Sequence, residues 1–203
     1  MKPFVKICGV TTIDDALACV DAGADAIGFN FWPQSKRYIP IAEAALIAKR
    51  LPAQLRTVGV FVNPEPDEVE RAFAAGAIDL AQLHGDESPE FCARFAGRYL
   101  KAFRLRDRAS LQKLADYRCD LVLVDADSSG YGGSGQRADV ALATEAAAAR
   151  RVILAGGLTP DNVADAIAAV HPYGVDVAGG VEREPGVKDW IKVAAFVARA
   201  KGA

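Results

Sequence analysis

Phe4-Val5-Lys6-Ile7-Cys8, Thr12-Ile13-Asp14-Asp15-Ala16-Leu17 and Asp21-Ala22-Gly23-Ala24-Asp25-Ala26 follow one another near the start of the chain, and their succession decides the fold. The first is a short apolar run suited to a strand. The second opens a helix: Thr12 as cap with Asp15 at the third helical position resembles a capping box, and Ala16, Leu17 and Val20 fall on one face. The third ends that helix at Gly23 and leads into a second apolar run, Ala26 to Asn30. Two strands joined through a helix pair in parallel, because the crossover returns the chain to the same end of the sheet.

The alternation continues. Strands are expected at Phe4 to Cys8, Ala26 to Asn30, Thr57 to Val62, Asp79 to Leu83, Tyr99 to Phe103, Leu121 to Asp125, Val152 to Ala155 and Val175 to Ala178. Their mean spacing of about 24 residues is what one parallel strand, one helix and two short loops require. Ala74-Ala75-Gly76-Ala77-Ile78-Asp79 nearly copies residues 21–26, a trace of internal repetition. Thr159-Pro160-Asp161-Asn162-Val163 is a second helix start, with Thr159 as cap and Pro160 at the first helical position. Eight such units in about 200 residues predict an α/β protein, a (β/α)8 TIM barrel, rather than a doubly wound open sheet, which usually has fewer strands. No Pro, Gly or Ser tract divides the series, so residues 1–203 are expected to form a single domain.

Composition excludes several classes of function. With 51% hydrophobic and 25% charged residues, the chain of 203 residues can bury a core of ordinary size. The 24 Lys plus Arg and 26 Asp plus Glu leave a net charge of −2, with no global field for a polyanion, so nucleic acid is not an expected partner. Lys6 interrupts the N-terminal apolar run, and no stretch approaches the ~20 apolar residues a bilayer requires, so the protein is expected in the cytoplasm with no membrane partner. Cys8, Cys19, Cys92 and Cys119 form no CxxC pair and only His84 and His171 could join them, which argues against a metal site or a disulfide framework.

In a (β/α)8 barrel the chemistry sits at the C-terminal ends of the strands. Two loops there are long: Phe31 to Pro40 carries Ser35, Lys36 and Arg37, and Ala126 to Arg137 carries Ser128, Ser129, Tyr131 and Gly132-Gly133-Ser134-Gly135. Both suit a polar ligand. Cys8 ends the first strand with Lys6 two residues back on the same face, where a cation could stabilise a thiolate base or nucleophile; the competing role is a small core hydrophobe. Asp125 ends the sixth strand after four apolar residues, where a partly desolvated carboxyl can act as an acid near neutral pH or merely satisfy loop amides. Asp127 is its rival within the loop. Ala155-Gly156-Gly157 and Ala178-Gly179-Gly180 follow the last two strands, the recurrent phosphate site of such barrels, where glycines let backbone amides approach an anion.

Several segments, taken in order, resemble the phosphoribosylanthranilate isomerase family over nearly the whole chain. They are Val5-Lys6-Ile7-Cys8-Gly9, Phe31-Trp32-Pro33-Gln34-Ser35-Lys36-Arg37, Val58-Gly59-Val60-Phe61-Val62-Asn63, Gln82-Leu83-His84-Gly85, Leu100-Lys101-Ala102-Phe103, Asp125 with Gly132-Gly133-Ser134-Gly135, Leu154-Ala155-Gly156-Gly157-Leu158, and Gly174-Val175-Asp176-Val177 with Gly180-Val181-Glu182, Pro185-Gly186 and Lys188-Asp189. The resemblance implies an Amadori rearrangement of N-(5′-phosphoribosyl)anthranilate in tryptophan biosynthesis, without a cofactor. It implies Cys8 as general base, Asp125 as general acid and Arg37 as the grip on the anthranilate carboxylate. Gly156, Gly157, Gly179 and Gly180 would hold the phosphate. By their own positions, His84, a lone His at the end of the fourth strand, is a substrate contact or an alternative catalyst, and Asp176 in the eighth strand either orients a substrate hydroxyl or only fills the barrel. The chain departs from the family in having Ala178-Gly179 where Ser is usual and Gln34 where Lys is frequent.

Other readings of the same barrel are a phosphosugar isomerase acting on an imidazole ribonucleotide, which usually pairs two aspartates, and a metal-dependent epimerase, which needs His at several strand ends. A phosphosugar-binding regulator would keep the glycines without requiring Cys8 and Asp125 together. The expected partner is a small phosphorylated substrate, with the chain a monomer or a homodimer.

Overall fold

A computed structural model describes residues 2–125 and 140–203. Asp127, Ser128, Ser129, Tyr131 and the glycines at 132, 133 and 135 therefore lie outside the described residues. In chain order the elements are β1 Phe4–Cys8, α1 Ile13–Asp21, β2 Ala26–Asn30, α2 Ile41–Ala48, β3 Arg56–Phe61, α3 Pro66–Ala74, β4 Leu80–Leu83, α4 Pro89–Ala93, β5 Tyr99–Arg104, α5 Arg108–Gln112, β6 Leu121–Asp125, α6 Val140–Ala149, β7 Arg151–Leu154, α7 Val163–Val170 and β8 Gly174–Val177. A 3₁₀ turn, Gly179–Val181, precedes the hairpin β9 Glu182–Glu184 and β10 Val187–Lys188, and α8 Trp190–Gly202 completes the series.

Strands β1 to β8 form one closed parallel barrel, with β8 returning to β1 in the register Phe4↔Gly174 and Lys6↔Asp176. Alternation along each strand divides the core in two. Val5 and Ile7 of β1, with Ile27 and Phe29 of β2, face the helices in the larger apolar cluster. Ala26, Val58, Leu100, Leu123 and Ile153 fill the barrel itself, over Phe4, Leu80, Leu121 and Tyr173. That interior is apolar below and becomes polar toward the strand C-termini, where Lys6, Gln82, Asp125 and Asp176 are all buried.

The repeated phrases have a common structural task. Gly23 and Gly76 both adopt positive φ (83° and 68°) and end α1 and α3 with the same pair of backbone bonds, Ala24 N to Cys19 O and Ala77 N to Ala72 O among them. Asp25 then accepts the backbone N–H of Val5 at 2.8 Å, and Asp79 accepts that of Thr57 at 2.8 Å, so each carboxylate closes the N-terminal rim of the preceding strand. Asp25 also takes the ammonium of Lys201, near the end of α8, at 2.9 Å.

Local details depart from expectation in three places. Thr12 caps α1 through the N–H of Asp15, but the Asp15 carboxylate does not return to Thr12; it accepts Trp190 Nε1 at 2.8 Å and the Lys188 N–H, so only half of the capping box forms. Helix α7 starts at Val163 after Asn162 rather than at Pro160, because Asn162 Oδ1 binds back to the Thr159 N–H and makes a turn of residues 159–162. The hairpin β9–β10 was not anticipated: Pro185 and Gly186, the latter at φ 88°, turn the chain between strands too short to show a period.

Candidate active site

The floor of the barrel mouth is built on β1 and β8. Lys6 Nζ lies 2.7 Å from Asp176 Oδ1 and is fully buried, an ion pair held by the register that sets the two residues side by side. Cys8 stands above Lys6 on the same face of β1. A Cβ on Gly28 would come within 2.9 Å of Cys8 Sγ and 3.2 Å of Lys6 Nζ, so glycine is what leaves room for both. Burial pushes the Cys8 thiol up, and Asp176 adds to this, while Lys6 and Lys188 oppose it without prevailing. The cation expected to stabilise a thiolate is largely committed to Asp176, and the resting group is the thiol.

On the other side of the mouth Asp125 ends β6 and His84 follows β4, with His84 Nε2 3.5 Å from Asp125 Oδ2. Gln82, two residues back on β4, places Nε2 2.8 Å from His84 Nδ1. With the amide nitrogen as donor, Nδ1 is an acceptor and the ring proton sits on Nε2, toward Asp125. Gln82 Oε1 and His84 Nε2 are buried with no hydrogen-bond partner among the described residues. Beneath them Lys101 donates to the carbonyls of Leu83 and Gly85 on either side of His84 and pairs with Glu87 at 3.2 Å. A cavity of about 450 Å³ opens beside His84, bordered by Phe103, Arg104, Arg106 and Lys113.

Arg37 reaches the mouth from the β2–α2 loop. Its stem lies across Gly9, whose φ of 76° and missing Cβ are what admit it. Arg37 Nε and Nη2 donate to the two carboxylate oxygens of Glu182 at 2.8 and 2.7 Å. Lys188 Nζ, fully buried, reaches Glu182 Oε1 at 2.9 Å and also donates to Cys8 O at the end of β1. Burial alone would push Glu182 up, but Arg37 and Lys188 hold it below the usual carboxylate range. Arg37 in turn is held above its ordinary value, chiefly by its hydrogen bonds to Glu182.

The two glycine loops adjoin. Gly156 and Gly157 take positive φ (91° and 65°), and their amides donate no backbone hydrogen bond among the described residues. Gly179 and Gly180 form the 3₁₀ turn after β8, and the Gly180 backbone passes so close to the Leu158 carbonyl that a side chain has no room. Close packing of the loops thus accounts for Gly180, while Gly156 and Gly157 supply amides without a partner among the described residues.

The structure thus gathers Cys8, Arg37, His84, Asp125, Asp176 and both glycine loops at one mouth. Sequence reasoning did not single out Lys101, Glu87 and Lys188. Their signal is a charged residue inside or beside an apolar run, as in Tyr99-Leu100-Lys101-Ala102-Phe103, where a fully buried charge requires a partner. Among the described residues no group of three or more His, Cys, Asp or Glu side chains could hold a metal ion.

Comparison with known proteins agrees along the whole chain. The family described as PRAI, N-(5'phosphoribosyl)anthranilate (PRA) isomerase, matches residues 5–199. An N-(5'-phosphoribosyl)anthranilate isomerase of Citrifermentans bemidjiense is 51% identical over 97% of this chain and 96% of its own. The phosphoribosyl anthranilate isomerase of Thermotoga maritima superposes with a TM-score of 0.93 at 41% identity, covering 99% of this chain and 100% of its own. A structure of such an isomerase in complex with reduced 1-(o-carboxyphenylamino)-1-deoxyribulose 5-phosphate superposes with a TM-score of 0.89 at 38% identity, with 99% and 100% covered. A barrel with this mouth, matched at this identity over nearly its full length, belongs to the N-(5'-phosphoribosyl)anthranilate isomerase family.

Proposed function

We propose that the chain catalyses the Amadori rearrangement of N-(5′-phosphoribosyl)anthranilate to 1-(2-carboxyphenylamino)-1-deoxyribulose 5-phosphate, with Asp125 as acid and Cys8 as base. The observation that carries this assignment is the placement of a thiol and a carboxyl at the C-terminal ends of β1 and β6, at one mouth of a closed barrel. Asp125 protonates the furanose oxygen as the C1′–O bond breaks and the nitrogen lone pair forms the C1′=N bond. Cys8 takes the proton from C2′, the C–H electrons become the C1′=C2′ bond, and the resulting enolamine becomes the ketone as C1′ gains a proton and the 2′-hydroxyl loses one. Hydrogen is redistributed within one molecule, so the reaction needs no external oxidant or reductant and no cofactor. Burial keeps Cys8 protonated at rest, so its proton passes to solvent before the thiolate takes the one on C2′; the positive charge of the iminium favours that ionisation.

The remaining contacts divide by charge. Arg37 grips the anthranilate carboxylate, Gly156, Gly157, Gly179 and Gly180 surround the phosphate, and His84 and Asp176 face the sugar. Backbone amides do this without the hydroxyl that Ala178-Gly179 lacks. Residues 1–203 act as one barrel domain in the cytoplasm, on a small phosphorylated substrate and without nucleic acid or membrane, as a monomer or homodimer. Among the described residues no helix is long and apolar enough to cross a membrane. The test is the loss of fluorescence of freshly made phosphoribosylanthranilate on adding the purified chain. Turnover abolished by Asp125→Asn and Cys8→Ser supports the assignment, and an inactive wild-type chain that unfolds cooperatively overturns it.

A further inference from the structure

We propose that Glu182 is a positioning residue for Arg37: it fixes one edge of the guanidinium so that the other edge is presented to the substrate carboxylate. The inference rests on the reading of Arg37 as the carboxylate grip. A guanidinium has five N–H groups and more than one edge that can meet a carboxylate in two places. Glu182 occupies the edge formed by Nε and Nη2, at 2.8 and 2.7 Å. The end-on edge, one N–H from each Nη, has no partner among the described residues and can meet a ligand.

The surroundings restrict Arg37 to this pose. Its stem is laid over Gly9, and Nη2 passes 3.4 Å from where a Cβ of Gly179 would be. Glu182 is itself immobile: it is 7% exposed, and its Oε1 also accepts from Lys188 Nζ and, at 3.3 Å, from the N–H of Gly186.

Charge explains the third member. Arg37 and Glu182 alone would sum to zero and offer a ligand carboxylate no net attraction. Lys188, buried behind Glu182 and tied to Cys8 O, returns the group to +1 where solvent screens little. Glu182 can therefore aim Arg37 without cancelling it.

The test is a double cycle, on protein and on ligand. Binding of the reduced product analogue, 1-(o-carboxyphenylamino)-1-deoxyribulose 5-phosphate in reduced form, is compared by calorimetry with that of its phenylamino counterpart lacking the ring carboxylate. The proteins are wild type, Glu182→Gln, Arg37→Ala, the double variant and Lys188→Met, each checked for cooperative unfolding. Glu182→Gln is expected to weaken the carboxylate-bearing analogue by about tenfold, as one charge-assisted bond is lost, and to raise KM with kcat nearly unchanged. It should have no effect on the second ligand or in the Arg37→Ala background. Lys188→Met should weaken the first ligand more than the second. Glu182→Asp keeps the charge but shortens the reach, and an intermediate loss is expected; it carries the test if Glu182→Gln does not fold. Equal losses for both ligands, or losses that multiply in the double variant, would overturn the positioning role. An Arg37→Ala protein that binds both ligands like wild type overturns the carboxylate reading and this inference with it.

Discussion

Gly179 and Gly180 are neighbours of identical composition that should respond oppositely to the same methyl group. A Cβ at Gly180 would collide with the Leu158 carbonyl oxygen and stand 3.0 Å from Leu158 C and 3.2 Å from Thr159 Cα. All three are backbone atoms of the loop after β7, so no side-chain rotation relieves the overlap, and the two loops must part by roughly 1 Å. A Cβ at Gly179 would meet only Arg37 Nη2 at 3.4 Å and Glu182 Oε2 at 3.9 Å, ordinary contacts with side-chain ends. Overpacking of the Gly180 kind costs about 1–3 kcal/mol, or roughly 2–12 °C in Tm for a domain of this size. On the proposed reading the two loops share the phosphate, and a displacement near 1 Å in a binding constellation can cost on the order of 100-fold. Gly180→Ala should therefore lower Tm, raise KM by about 10- to 100-fold and weaken competitive inhibition by inorganic phosphate. Gly179→Ala should change KM by less than about threefold. Thermal unfolding and steady-state kinetics of both variants suffice. A Gly180→Ala enzyme with wild-type Tm, KM and phosphate inhibition, or the reverse ordering of the pair, would refute the packing argument.

Cys8→Ser should fold and lose about 100-fold or more in kcat, since serine is a far weaker base, whereas Asp125→Asn should lose kcat steeply with little change in KM; stopped assays over a range of substrate concentrations separate the two parameters. Arg37→Ala should act mainly through KM, by about 1.5–3 kcal/mol, and a loss confined to kcat would remove Arg37 from ground-state binding. The Cys19 thiol, pushed up to about 12 by burial first and by Asp15 in addition, predicts alkaline sensitivity. Its folded-state value lies above that of the unfolded chain, near 9, so its stability is fully present below pH 9 and is lost as pH rises toward 12. At pH 10 the loss is on the order of 1 kcal/mol, and urea unfolding of Cys19→Ala at pH 8 and pH 10 should show a shallower pH dependence than wild type.

The barrel was legible because strand and helix alternate eight times in about 200 residues, more strands than a doubly wound open sheet usually has. β1, β2 and β6 begin and end where their apolar runs do, β4 and β5 differ from the expected bounds by one residue at one end, and β3, β7 and β8 are shifted one residue toward the N-terminus at both ends, where pairing with the neighbouring strand rather than apolar pattern sets the limit. Cys8 and Asp125 were legible for a related reason, each being a reactive group at the last residue of an apolar strand. The state of the Cys8 thiol was not, because it depends on whether Lys6 is available, and Lys6 is occupied by Asp176 from the far end of the chain. Glu182 aiming Arg37, and Lys188 meeting the end of β1, are contacts across 145 and 180 positions. No local period encodes such pairs, and only closure of the barrel brings them together. The start of α7 was misplaced for the opposite reason: Thr159 and Pro160 have the right preferences and Thr159 Oγ1 does accept the Asp161 N–H, but the Asn162 side chain folds back on the Thr159 N–H and makes residues 159–162 a turn first.

The carboxylate of Asp25, bonded at once to the backbone of Val5 and to Lys201, draws two distant parts of the polypeptide to one point on the rim opposite the reacting groups. Topologically the barrel is thus a ring with a nearly shut clasp, and the clasp lies at the face that substrate never visits. The ring could be opened at an outer loop and closed at this clasp without disturbing the order of the strands.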